Sequence, residues 1–198
     1  MAIDIDERKL ARNEAGLWIG WTLATALGML FGFLPFLLFV SSMDLLLVRF
    51  LLPLWSGFLV GLFQWLVLRR YLTHSVDWIL NGGAGWALGY SLGLFVIQVF
   101  NQGPWSQLLG YLLFGLIIAI IQWPVLRREM PNIFPWIIAN VIAWSLGAYI
   151  SQAVLNLVAS GTLPSQALSS TVISGVTGLI AGGITALALI WIVRKPEI

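Results

Sequence analysis

The chain has 198 residues, 60% of them hydrophobic and 9% charged, with a mean hydropathy of +0.94. A soluble domain carries about 25% charged residues and cannot hide this much apolar surface, so a water-soluble fold is excluded and an integral membrane protein is implied. No cysteine is present, one histidine is, and the net charge is +2; this excludes disulfides and thiolate metal sites, argues against haem or metal centres, and gives no case for nucleic acid.

The first fifteen residues, beginning MAIDIDERKLARNE, are as acidic as they are basic and read as a short cytosolic head. Residues 16–195 read as a single transmembrane domain. Crossing the hydrocarbon core takes about 20 apolar residues, and six stretches serve, at roughly 16–40, 53–70, 77–100, 105–126, 135–158 and 170–193. The runs are continuously apolar rather than alternating, so they predict helices and not a barrel. The first run is too long for the apolar core of a signal peptide, has no small-residue cleavage site, and reads as a retained span. Pro53 and Pro104 mark helix starts, where a missing N–H costs nothing. Pro35 and Pro124 fall inside spans and predict kinks.

Charge sets an expected orientation. Arg8, Lys9 and Arg12 lie in the head, Arg69 and Arg70 follow the second span, Arg127 and Arg128 the fourth, and Arg194 and Lys195 the sixth. Nine of the ten cations therefore share one side; Arg49, near Asp44, is the exception. The positive-inside rule places both termini in the cytoplasm. Trp18, Trp78 and Trp136 open spans one, three and five, and Trp55 and Trp105 open spans two and four from the other face. Such rings are expected at headgroup depth.

A repeat organises the spans. GLFQWLVLRR, from Gly61, returns as AIIQWPVLRR fifty-eight residues later, and WILNGGAGWALGYSLG at Trp78 returns as WIIANVIAWSLGAYIS at Trp136. GWTLATALG in span one and WIVRK at the end of span six are worn copies. The fold class is all-α, with six transmembrane helices in three tandem hairpins, about 16–70, 77–128 and 135–195. They are related about the membrane normal and either close as a ring or pack as a filled bundle. Stripes of small residues such as Gly85, Gly89 and Gly93 read as packing seams, since helices in lipid associate through close backbone approach; a gate or pore lining is the sharper alternative.

Gln64 and Gln122 lie five residues before their arginine pairs, about 7 Å inside the boundary at 1.5 Å per residue. An amide there must find a partner. It either bonds across helices or lines a polar path for a small solute. Leu189 stands where the third repeat would place glutamine, and Gln98 and Asn156 form a matched pair near the opposite face. Trp65 and Trp123 are interfacial anchors or a wall for an apolar ligand. Trp21, Trp86 and Trp144 lie deeper and fill the core or line a ligand site. Arg69, Arg70, Arg127, Arg128, Arg194 and Lys195 set topology, or hold anionic lipid or an acidic partner. Spans carry no ionisable relay, His74 is a loop residue, and no catalytic motif, metal set or cofactor fingerprint occurs. The expected function is non-enzymatic: a subunit or assembly partner of a membrane complex, with membrane lipid and other membrane subunits as partners. The alternative is a transporter or binding subunit for a small neutral or apolar solute.

The repeated GLFQWLVLRR and AIIQWPVLRR segments, with GWALG and AWSLG between them, resemble a family of uncharacterised multi-pass membrane proteins of cyanobacteria and related bacteria. The resemblance implies a bacterial inner or thylakoid membrane and no catalysis. By size and six spans the chain is also similar to substrate-binding subunits of vitamin transporters.

Overall fold

The structure, a computed structural model, describes residues 2–35, 50–72, 75–100, 103–127, 132–159 and 166–194. The described residues form an all-α protein with six long helices: α1 (Ala2–Gly32), α2 (Leu52–Leu68), α3 (Asp77–Val99), α4 (Pro104–Leu126), α5 (Phe134–Ala159) and α6 (Gln166–Arg194). Five contain segments long and apolar enough to cross a membrane; α2, with 17 residues, is apolar but shorter. The head is not a separate element, because α1 runs from Ala2 into the first span without a break. Helical geometry is interrupted at Phe33 and resumes at 34–35. Pro35 therefore accompanies a break rather than the expected kink: proline offers no N–H to Phe31 and its ring crowds that carbonyl. Pro124 lies inside α4 near its end. Asp44, Arg49, His74, Arg128, Glu129 and Lys195 lie outside the described residues.

Each helix packs against the helix before it and the helix after it, and α6 returns to pack against α1. The six thus close a ring of alternating direction, with the ends bearing Arg69 and Arg127 on one side. The outer wall is apolar: Leu80, Leu88, Phe95, Ile138 and Leu187 are all more than 40% exposed. Thr25, Ser56, Gln64, Gln122 and Asn140 are buried. Apolar outside and polar inside is the arrangement a hydrocarbon solvent favours, since inward polar groups can find partners there.

Glycine makes the close contacts. Gly28 faces Val60 and Gly32 faces Ser56 between α1 and α2; Gly57 and Gly82 meet between α2 and α3; Gly93 and Gly110 between α3 and α4. Gly115 faces Asn140 between α4 and α5, Gly147 faces Thr177 between α5 and α6, and Gly178 and Gly182 face Ala26 and Thr22 between α6 and α1. Every seam of the ring carries at least one glycine against opposing backbone. The small-residue stripes are spent on these intramolecular seams.

A methyl group at Gly57 would lie 2.5 Å from the Gly82 carbonyl oxygen, whereas one at Gly16 meets nothing within 4 Å. Gly57→Ala should therefore destabilise the folded protein by about 1–3 kcal/mol through overpacking. Gly16→Ala should leave it unchanged or slightly stabilised, because alanine favours helix. Thermal unfolding of the two variants in one detergent checks the contrast.

Candidate functional site

The interior of the ring is built in layers, because residues four apart on a helix share a face and lie about 6 Å apart along it. The layer nearest the arginine end contains Trp21, Trp78 and Trp136 with Leu68, Leu126 and Leu189, all 0–1% exposed. The three indoles come from α1, α3 and α5 and meet edge to face in a closed triangle. Their centroids are 5.7 Å apart for Trp21–Trp78, 5.9 Å for Trp21–Trp136 and 5.7 Å for Trp78–Trp136. Trp78 and Trp136 are thus not headgroup anchors, and the third member of their set is Trp21 rather than Trp18. Trp18 faces outward at 38% exposure and donates to the Gly183 carbonyl.

One turn deeper lies a polar belt. The Trp78 indole N–H donates to Gln64 Oε1 at 3.0 Å, and Gln64 Nε2 donates to Thr25 Oγ1 at 2.9 Å. Thr25 Oγ1 in turn donates to the Trp21 carbonyl. The Trp21 N–H donates to Thr185 Oγ1 at 3.0 Å, across 164 residues of sequence. Two of the three axial indoles, then, are satisfied by a polar side chain on the preceding helix around the ring. Gln122 and Trp136 occupy the third such position at the same 58-residue offset, yet Gln122 Oε1 and Trp136 Nε1 have no hydrogen-bond partner and are buried. Asn140, also in this belt, donates to the Trp136 carbonyl and accepts from Trp144 Nε1.

The next layer holds Met29, Val60, Trp86, Ile118, Trp144 and Ala181. Met29, Trp86 and Trp144 follow the three indoles of the first layer by eight residues each. Trp86, Phe114 and Trp144 form a second edge-to-face triangle, with centroids 5.2–5.4 Å apart. Beyond it the ring is hollow. A cavity of about 240 Å³ is lined by five of the six helices, from Met29, Trp86, Phe114 and Trp144 at its floor to Ile97, Gln152 and Ile173 toward the far end. Gln152 is exposed at that end. Among the described residues, no Asp, Glu, Lys, Arg or His lines it.

The sequence-selected residues separate accordingly. Gln64 and Gln122 are 4% exposed inside the belt and do not reach the cavity; a shared polar path along them is replaced by packed indoles. Trp86 and Trp144 line the cavity floor. Trp65 and Trp123 are absent from its lining. Trp123 is 41% exposed, and the Arg69 guanidinium lies 5.3 Å above the Trp65 ring, a cation–π contact. Arg69, Arg70 and Arg127 are exposed. Gln98 and Asn156 are exposed and on different helices; Asn156 accepts from Gln152 at 3.3 Å. Sequence reasoning missed Thr25, Thr185, Met29 and Phe114. The signal for Thr25 and Met29 was available as Trp21-Thr25-Met29 stepping by four, parallel to Trp78-Gly82-Trp86 and Trp136-Asn140-Trp144.

The belt generates a contrast. Trp78→Phe removes a bonded donor and leaves Gln64 Oε1 buried and unsatisfied, while Trp136→Phe removes a donor that has no partner. Both lose similar volume from one layer, so Trp78→Phe should be the more destabilising by about 1–2 kcal/mol, read as the difference in unfolding free energy. Equal losses would show that the Gln64 bond contributes nothing.

No family model, characterised protein or solved structure matches the chain.

Proposed function

We propose that this chain is a non-enzymatic membrane protein that holds one small, uncharged apolar molecule in a one-ended cavity of its helix ring. All six helices cross the bilayer in this reading, with the arginine ends in the cytoplasm and the cavity mouth on the opposite side. The observation that carries it is the pair of aromatic triangles. They fill the ring from the arginine end to Trp86 and Trp144 and leave a mostly apolar cavity of about 240 Å³ beyond them. Such a shape binds but does not conduct. Ligand pockets are typically concave, mostly apolar and largely preformed, and among the described residues this one offers no charged group to recognise an ion. The assembly-partner reading keeps less support, because the small residues that would meet a partner helix are consumed by the ring's own seams.

Xenon is a suitable probe, since apolar cavities take it up while hydrated ones do not. Crystals pressurised with xenon should show it beside Trp86, Phe114 and Trp144, and Ala148→Phe, which puts a ring on the cavity wall, should abolish it. A wild-type cavity without xenon would overturn the reading. Orientation is tested separately in a chain that has no native cysteine. In intact cells Asn156→Cys should react with a membrane-impermeant maleimide, and Gly16→Cys should react only after the membrane is opened; the reverse pattern would invert the topology.

A further inference from the structure

We infer that the occupant of this cavity is a single linear hydrocarbon chain of about ten carbons with an uncharged polar end at Gln152. This rests on the binding reading above and adds the ligand's shape. An apolar cavity of about 150 Å³ takes one benzene, so on the same scale the 240 Å³ here accommodates about ten heavy atoms. The length comes from the helices. Trp144 and Gln152 both line the cavity and are eight residues apart, or about 12 Å of helix at 1.5 Å per residue. Ten atoms in an extended chain, with bonds of about 1.5 Å set in a zigzag, also cover about 12 Å. The same number of atoms in a fused bicyclic ring covers about half that length. The volume is thus too small for its depth unless the occupant is narrow.

The lining agrees. Gly89, Gly93, Gly110 and Ala148 set back the wall, and Leu94 and Ile97 face it with branched carbons. The deep hydroxyl of Thr177 is engaged, donating to Ser151 Oγ at 2.8 Å and lying 3.5 Å from the Gly147 carbonyl. Burying an alcohol or carbonyl beside Thr177 would therefore cost desolvation with little return from that hydroxyl. At the mouth Gln152 is exposed. Its Nε2 donates one of two protons to Asn156 at 3.3 Å, which leaves the other for an ester carbonyl and Oε1 to accept from a hydroxyl. Two sources share this chemistry: the tail of a membrane phospholipid and a free long-chain alcohol.

The test uses Ala148→Cys in the otherwise cysteine-free full chain, in dioleoyl phosphatidylcholine vesicles, with N-ethylmaleimide as the reporter. Nonan-1-ol and naphthalene are supplied at equal membrane concentrations; each has about ten heavy atoms. Nonan-1-ol should slow alkylation about fivefold by mass action, and naphthalene less than about twofold. Naphthalene protecting as well as the alcohol would overturn the linear-chain assignment and leave the binding reading standing. A reactive cysteine that neither compound protects would overturn both. A cysteine silent in vesicles but reactive in detergent, with phospholipid retained in native mass spectra, would support the chain and identify a phospholipid tail as its source. A cysteine silent in both surroundings would mean a closed cavity and overturn both.

Discussion

The triangle of Trp21, Trp78 and Trp136 is the contact on which the rest of the ring depends. In lipid, helices gain nothing from hiding apolar surface from water, so shape and dispersion must hold them together. Three buried indoles, each edge to face with the other two, supply that at one level. Each such pair contributes roughly 0.5–1.5 kcal/mol beyond the area it buries. The arrangement also fixes register. With one indole from each odd helix pinned at the axis, and a leucine from each even helix between them, every later layer follows in steps of four residues.

A tryptophan brings an N–H that cannot be left in hydrocarbon without cost. The belt behind the triangle answers that need, with Gln64 for Trp78 and Thr185 for Trp21. This gives Gln64 a structural role: it is a satisfied partner in a packed layer. The same economy explains why the far half is hollow. There four of the lining positions are Gly89, Gly93, Gly110 and Ala148, which allow helices to approach at their seams but leave the axis short of volume. Close packing at the walls and emptiness at the centre are two results of one choice of residue.

Much of the architecture was legible because lipid leaves few options. Long apolar runs had to be helices, and five observed segments are long enough to span. What composition could not decide was the direction in which each tryptophan points. Trp18 and Trp21 are one turn apart in the same helix, yet one faces out and the other sits at the axis with 0% exposure. Interfacial tryptophan is so common near span ends that Trp78 and Trp136 looked like anchors. The separation lies in phase, not in residue type. The cavity was illegible for a similar reason, since a void is the residue of packing among five helices and no motif encodes it. Nothing in residue type or spacing separates Gln64 from Trp86, although the fold puts one inside a filled layer and the other on an open floor.

The hydrogen bond from Trp21 to Thr185 joins positions 164 apart, while every other seam of the ring lies between helices adjacent in the chain. As the polypeptide is made, five seams become available in order, each soon after its second helix emerges. The sixth must wait for α6, and until then α1 has an open flank: Thr22, Thr25 and Ala26, small and partly polar, face lipid where Gly178 and Gly182 will later lie. Translation is slow, at about 5–20 residues per second, so the half-built ring persists for several seconds as an open arc. The terminal helix is thus the keystone of the assembly. Loss of this helix would strand all five preceding helices in a crescent, with the first tryptophan unsatisfied and the hollow interior open to the bilayer along one side.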